Sequence, residues 1–201
     1  MIPHRRLARI ALPGLLVAGL TGCVSFGPKP PPTLMTLHTA SAIATGPARI
    51  ADEAHAVAVA VPTAEPTLAT SRVMVQAGPN SVAYLKNALW AAQPAVLFRN
   101  LVAETITAKT GRIVPDPRLV QVQPNTRLTG HLDAFGFDAP AMAVVVTFDG
   151  TILRSGSSTI ETRRFSARVP VASDQEQMVG AALDQAANQV AGEVADWVGT
   201  R

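Results

Sequence analysis

Residues 142–153 read Met-Ala-Val-Val-Val-Thr-Phe-Asp-Gly-Thr-Ile-Leu, and this stretch decides the fold. Met142, Val144, Val146, Phe148 and Ile152 fall on alternate positions, the period-two pattern of a strand with one buried face. The pattern runs through Asp149-Gly150, which therefore lies inside the strand. The next cluster of turn residues, Ser155-Gly156-Ser157-Ser158, reads as the hairpin turn. Strands over Arg127 to Phe137 and Thr159 to Val169 flank the central one.

Helices bracket this block. Pro94 suits a first helical position, and Leu97, Phe98, Leu101, Val102, Thr105 and Ile106 recur at helical spacing. Lys109 in the last turn and Gly111 just past it are stop signals. At the other end, Ser173-Asp174-Gln175-Glu176 has the form of a capping box, in which serine and glutamate side chains satisfy free amides reciprocally. Val179, Leu183, Ala186, Val190, Val194 and Trp197 then make an apolar stripe, with Gly199 ending the helix.

Upstream, residues 54–61 (Ala-His-Ala-Val-Ala-Val-Ala-Val) alternate strictly. Val57, Val59 and Val61 share one face, and the alanine face would let a helix approach closely. Pro62 and Pro66 bound a loop. Arg72 to Gln76 is a strand, Gly78-Pro79-Asn80 a turn, and Val82 to Lys86 the returning hairpin partner. Leu34 to Leu37 is a short first strand. The reading is α+β: an antiparallel-leaning mixed sheet with two helices packed on one face, in a single compact domain. With aromatics at 4% and abundant Ala and Val, the core is expected to use small side chains and close packing.

The N-terminus has a different character. Arg5, Arg6 and Arg9 precede an apolar run from Ile10 to Leu20, which is far short of the roughly 20 residues that span a bilayer. This is a signal peptide over residues 1–22. It ends in Leu20-Thr21-Gly22-Cys23, which resembles the lipobox of bacterial lipoproteins, with cleavage between Gly22 and Cys23 and lipid added to the Cys23 thiolate. Cys23 is the only cysteine, so no internal disulfide forms, and lipidation accounts for a lone thiol in an exported chain. Several acyl chains on one residue anchor stably. Residues 23–33, with Gly27-Pro28-Lys29-Pro30-Pro31-Pro32, read as an extended tether, and residues 34–201 as the folded domain. Val24 follows the cysteine. In the common Gram-negative sorting scheme aspartate there retains a lipoprotein at the inner membrane, so the expected location is the periplasmic face of the outer membrane.

Charge removes one class of partner. Of the 17 basic side chains, three leave with the signal peptide, and the rest balance the 14 acidic ones. No basic patch argues for nucleic acid.

The chemical motifs are weak. Lys109-Thr110-Gly111 matches one motif of serine penicillin-binding enzymes, but no serine stands three residues before any lysine of the chain. No Gly-x-Ser-x-Gly elbow or phosphate-cradling glycine loop occurs. His38, His55 and His131 are scattered without an i, i+4 pair and read as sheet or surface histidines rather than metal ligands. Asp133, Asp138 and Glu161 sit on or beside strands, where a solvated face carries charge. No catalytic residue, metal site or cofactor is expected. Trp90 has two readings, a core ring closing the end of the sheet or an anchor in a protein or lipid contact. The larger weight falls on core.

The order of these features resembles a family. The lipobox and proline-rich tether precede a Val-rich strand ending in Pro62, then Ser71-Arg72-Val73-Met74-Val75, Tyr84, and Trp90-Ala91 just before the helix from Pro94. Leu128-Thr129-Gly130-His131-Leu132-Asp133-Ala134-Phe135 follows, then Phe165 and an Ala-rich helix ending at Trp197. Over essentially the whole mature chain this resembles the auxiliary lipoprotein of ABC-type transporters, the PqiC-like group. The segments Asn87-Ala88-Leu89, more apolar than usual, and Ala40 to Ala54, longer than usual, depart from it. The resemblance implies a non-enzymatic partner of MCE-domain proteins, which work with an ABC permease and ATPase to move lipids or other hydrophobic molecules across the envelope. Tyr84 and Trp90 are its candidate partner contacts, and self-association is compatible with it. A structural envelope lipoprotein, or a domain that itself holds lipid, remains the alternative.

Overall fold

In the computed structural model, residues 33–119 and 122–200 are described. The expected signal peptide, Gly22, Cys23 and the expected tether up to Pro32 lie outside the described residues.

The strands are β1 (Val57–Val59), β2 (Thr63–Ala64), β3 (Arg72–Gly78), β4 (Ser81–Leu89), β5 (Thr126–Asp138), β6 (Ala143–Arg154) and β7 (Ile160–Pro170). The helices are α1 (Pro94–Thr110) and α2 (Glu176–Gly199). All seven strands form one open sheet with the main order β4-β3-β5-β6-β7. The pairs β3–β4, β5–β6 and β6–β7 are antiparallel. β5 is the hub: one edge carries β6, and the other is lined in turn by β1, β2 and β3, all parallel to it. The expected α+β mixed sheet is the observed architecture.

The face is set by alternation. Leu132, Phe148 and Phe165 lie side by side across β5, β6 and β7, and all are buried. Phe98 of α1 packs on Phe135 and Phe148, and Trp197 of α2 packs on Phe165, so both helices lie on that face. Six rings run on without a break: Trp90, Phe135, Phe98, Phe148, Phe165 and Trp197, with neighbouring centroids 5.3–6.5 Å apart. The few aromatics of the chain are thus concentrated along one seam. Alanine fills the rest, since Ala186, Ala187, Ala191 and Ala195 of α2 are wholly buried. Glycine makes the seam possible where Gly130 faces Gly150 across β5–β6. A Cβ at Gly130 would run into the Asp149 carbonyl and the Phe148 ring, and one at Gly150 would stand 3.0 Å from the Trp197 ring.

Several local expectations are corrected. Leu34 to Leu37 forms no strand. Met35 alone bridges to Trp90, its amide donating to the Leu89 carbonyl and its carbonyl accepting from Ala91. The 54–61 strand contracts to Val57–Val59, and Val61 is 53% exposed. After Ala60 bonds to Leu128 the chain breaks at Pro62, which has no amide to donate, and then resumes as β2 where a loop was expected. Met142 is not in the strand. It closes the Ala139–Met142 turn, with φ 45° and an exposed side chain. The capping box does not form. The chain stays extended through Gln175, so α2 starts two residues later than that box requires, with no side-chain cap. Other expectations hold: Gly199 is the last residue of α2, and its bare Cα lets Thr110 of α1 approach. α1 starts at Pro94 and ends in a left-handed Gly111 with φ 71°, as its stop signals require.

Candidate functional site

Trp90 and Tyr84, the two residues singled out as contacts, come from the same strand region but have different surroundings. Trp90 is 2% exposed. Its ring meets Phe135 edge-on at 5.5 Å, its amide donates to the Ser71 carbonyl at 2.7 Å, and Met35 bridges its backbone. A ring so enclosed offers no surface to a partner in this conformation. Tyr84 is half-buried on β4, with the Arg72 guanidinium 4.3 Å from its ring centroid and its hydroxyl donating to the Thr67 carbonyl.

Tyr84 borders a groove of about 480 Å³. One wall is β4, whose outer edge carries no strand partner among the described residues beyond the Met35 bridge. The other wall is Asp174–Gln177, the entry to α2 and the first residues of that helix. Val75, Leu85 and Phe137 contribute its apolar floor. A bulge shapes the mouth. Met74 pairs with Tyr84 and Arg72 with Leu89, so Leu85–Ala88 oppose Val73 alone. Asn87 takes φ 61° there, a left-handed turn that asparagine tolerates better than most residues. Lys86, Asp174 and Glu176 are its charged lining residues. An unpaired strand edge beside an apolar floor is the geometry that accepts an added extended segment.

The tempting motifs resolve into local structure. Lys109 pairs with Asp196 at 2.7 Å and tethers α1 to α2. The Thr110 hydroxyl donates to the Ile106 carbonyl, and Gly111 caps the helix. The three carboxylates considered together are dispersed. Asp138 pairs with Arg168, and Glu161 lies 3.4 Å from Arg154. Asp133 joins Glu65 and His131 instead. His38 and His55 are exposed, and His55 pairs with Asp52. Sequence spacing gave no sign of the Glu65–His131 approach, because 66 residues separate the two. Arg112 was also not legible. Its guanidinium donates to the carbonyls of Ala54 and Ala56 and to the Thr126 hydroxyl, which fastens β1 to β5 behind α1. Burial, with the nearby charge of Arg154, lowers its pKa.

No helix of the described residues is long and apolar enough to cross a membrane. No curated protein matches the sequence significantly. Solved structures share the fold. Protein XCC0632 from Xanthomonas campestris, of the DUF330 family, is 21% identical with a TM-score of 0.62, over 83% of this chain and 92% of that one. A second, uncharacterised protein is 15% identical with a TM-score of 0.63, over 83% and 99%. The family model for the ABC-type transport auxiliary lipoprotein component matches residues 36–195, which is nearly the entire described domain. The chain belongs to the ABC-type transport auxiliary lipoprotein family.

Proposed function

We propose that this protein is a lipid-anchored, non-enzymatic component of an MCE-associated ABC transport system that moves lipids or other hydrophobic molecules across the cell envelope. The observation that carries the reading is the family match over residues 36–195 together with the lipobox at Leu20-Thr21-Gly22-Cys23. Cys23 is the anchor, and Val24 directs it to the periplasmic face of the outer membrane.

The β4 groove is the docking surface for an extended segment of the MCE-domain protein. Its place relative to the anchor supports this. The folded chain begins beside Met35 and Trp90 at the end of β4. The ten Cα-to-Cα steps from Cys23 to Thr33 reach at most about 36 Å, which keeps this sheet edge near the membrane. Tyr84 rather than Trp90 then presents the aromatic contact.

Affinity purification of the lipidated protein from membranes tests the reading. The expected result is recovery of the MCE-domain protein with its ABC permease and ATPase, in amounts comparable to the bait. Recovery of the bait without any of these components would contradict it. Density-gradient fractionation checks location separately, and co-migration with inner-membrane markers would refute the outer-membrane assignment.

A further inference from the structure

On the sheet face opposite the helices, three side chains from two distant segments converge. β2 pairs with β5 in parallel, Thr63 beside His131 and Ala64 beside Leu132. The chain continues into Glu65, which therefore arrives beside Asp133. At Asp133 the β5–β6 register shifts, and this residue bulges out of the ladder. Ligand atoms of Glu65, His131 and Asp133 all lie within 4.8 Å of one another.

The imidazole is oriented. The Thr63 hydroxyl donates to the Gly130 carbonyl at 3.3 Å and lies 2.9 Å from His131 Nδ1. Nδ1 therefore faces the hydroxyl, and Nε2 is turned toward the carboxylate, 3.3 Å from Glu65 Oε1. The separation matches that of neighbouring ligands on a tetrahedral ion with bonds of about 2.0–2.1 Å. A hydroxyl or carbonyl holding the far nitrogen is the usual support of a metal-bound histidine.

Charge points the same way. Asp149 lies opposite His131, but Arg164 already holds its two oxygens at 2.6 Å each. Glu65 and Asp133 bring two carboxylates to the imidazole, and Asp133 also interacts with the Arg164 guanidinium. One imidazole nitrogen with two carboxylates suits zinc, manganese or cobalt better than calcium or magnesium, which prefer oxygen alone.

We propose that Glu65, His131 and Asp133 bind a divalent transition-metal ion of the zinc class, with Thr63 as the positioning residue. The site pins the turn after β2 to the bulge of β5 and leaves a coordination position open to solvent.

Titration of the full chain in detergent with zinc, followed by calorimetry, and with cobalt, followed by its visible ligand-field bands, tests this. Binding with a Kd below about 100 µM is expected. His131→Gln and Asp133→Asn should each weaken it by at least about 10-fold, and Thr63→Val by about 10-fold through loss of ring support. His55→Gln, which alters the exposed His55–Asp52 pair, should leave it unchanged. Melting curves without metal should match wild type for all four variants, since these side chains are partly or fully exposed. Binding weaker than about 1 mM would overturn the proposal. Undiminished affinity in His131→Gln, or loss that follows His55→Gln, would do so equally, leaving only an imidazolium paired with Glu65.

Discussion

The indole of Trp90 stands edge-on to the ring of Phe135, with centroids 5.5 Å apart and planes at 64°. This contact starts the aromatic seam that joins β4 and β5 to both helices. Removing a buried aromatic costs about 3–5 kcal/mol, a large part of a typical stability of about 5–15 kcal/mol. Trp90→Ala should therefore destabilise the protein at least as much as Leu183→Ala in the buried stripe of α2. Trp90→Phe should cost clearly less, because the buried Nε1 has no hydrogen-bond partner to lose. Chemical denaturation reads both. A wild-type midpoint for Trp90→Ala would show that the ring is not core.

Arg112 predicts a defect that its position at a helix end would not suggest. Its fork holds two β1-side carbonyls and the Thr126 hydroxyl. Truncation to alanine leaves these acceptors without their cation, at about 1–3 kcal/mol for an unsatisfied group. Arg112→Lys should restore little, since an ammonium lacks the planar fork. Hydrogen exchange should quicken in β1 well before it quickens in β6. Uniform acceleration would contradict the local role.

Acid should weaken the solvent-facing side of the sheet. Arg164, bonded to both carboxylate oxygens, holds the Asp149 pKa below its ordinary value. A carboxylate with a depressed folded pKa stabilises above its unfolded pKa, near about 3.9, and that contribution is lost as pH falls through the folded value. The pair is partly exposed, so solvent and salt limit it to at most about 1 kcal/mol. Asp149→Asn should lower the melting temperature slightly at pH 7 and by less at an acid pH below about 3.9. An equal effect at both pH values would show that the charge is not the cause.

Processing is independent of the fold. Cys23→Ala should leave an uncleaved or soluble form. If this variant still sediments with membranes after a carbonate wash, the anchor lies elsewhere.

The long elements were legible because their signals are local. Val144, Val146, Phe148 and Ile152 declare β6 by alternation alone, and Pro94 with Gly111 brackets α1. What escaped depends on partners far along the chain. β2 is two residues long and exists only because β5 supplies an edge for it. The parallel pairing of β1, β2 and β3 along that edge has no turn signal to mark it. Ser173 fits the capping pattern, yet the chain runs extended past it to form a groove wall, so tertiary placement overrode a local motif. The β4 groove itself is shaped by the Leu85–Ala88 bulge, where a hairpin was the simplest reading.

Site-specific photo-crosslinking in intact cells tests the transport role most directly. A benzoylphenylalanine in place of Lys86, in the β4 groove, is predicted to give a covalent adduct with the MCE-domain protein. The same residue in place of Arg163, exposed on β7 at the far edge of the sheet, is predicted to give none. Adducts from Arg163 but not Lys86 would move the interface to the other edge. No adduct with any transporter component from either position would contradict docking by this domain.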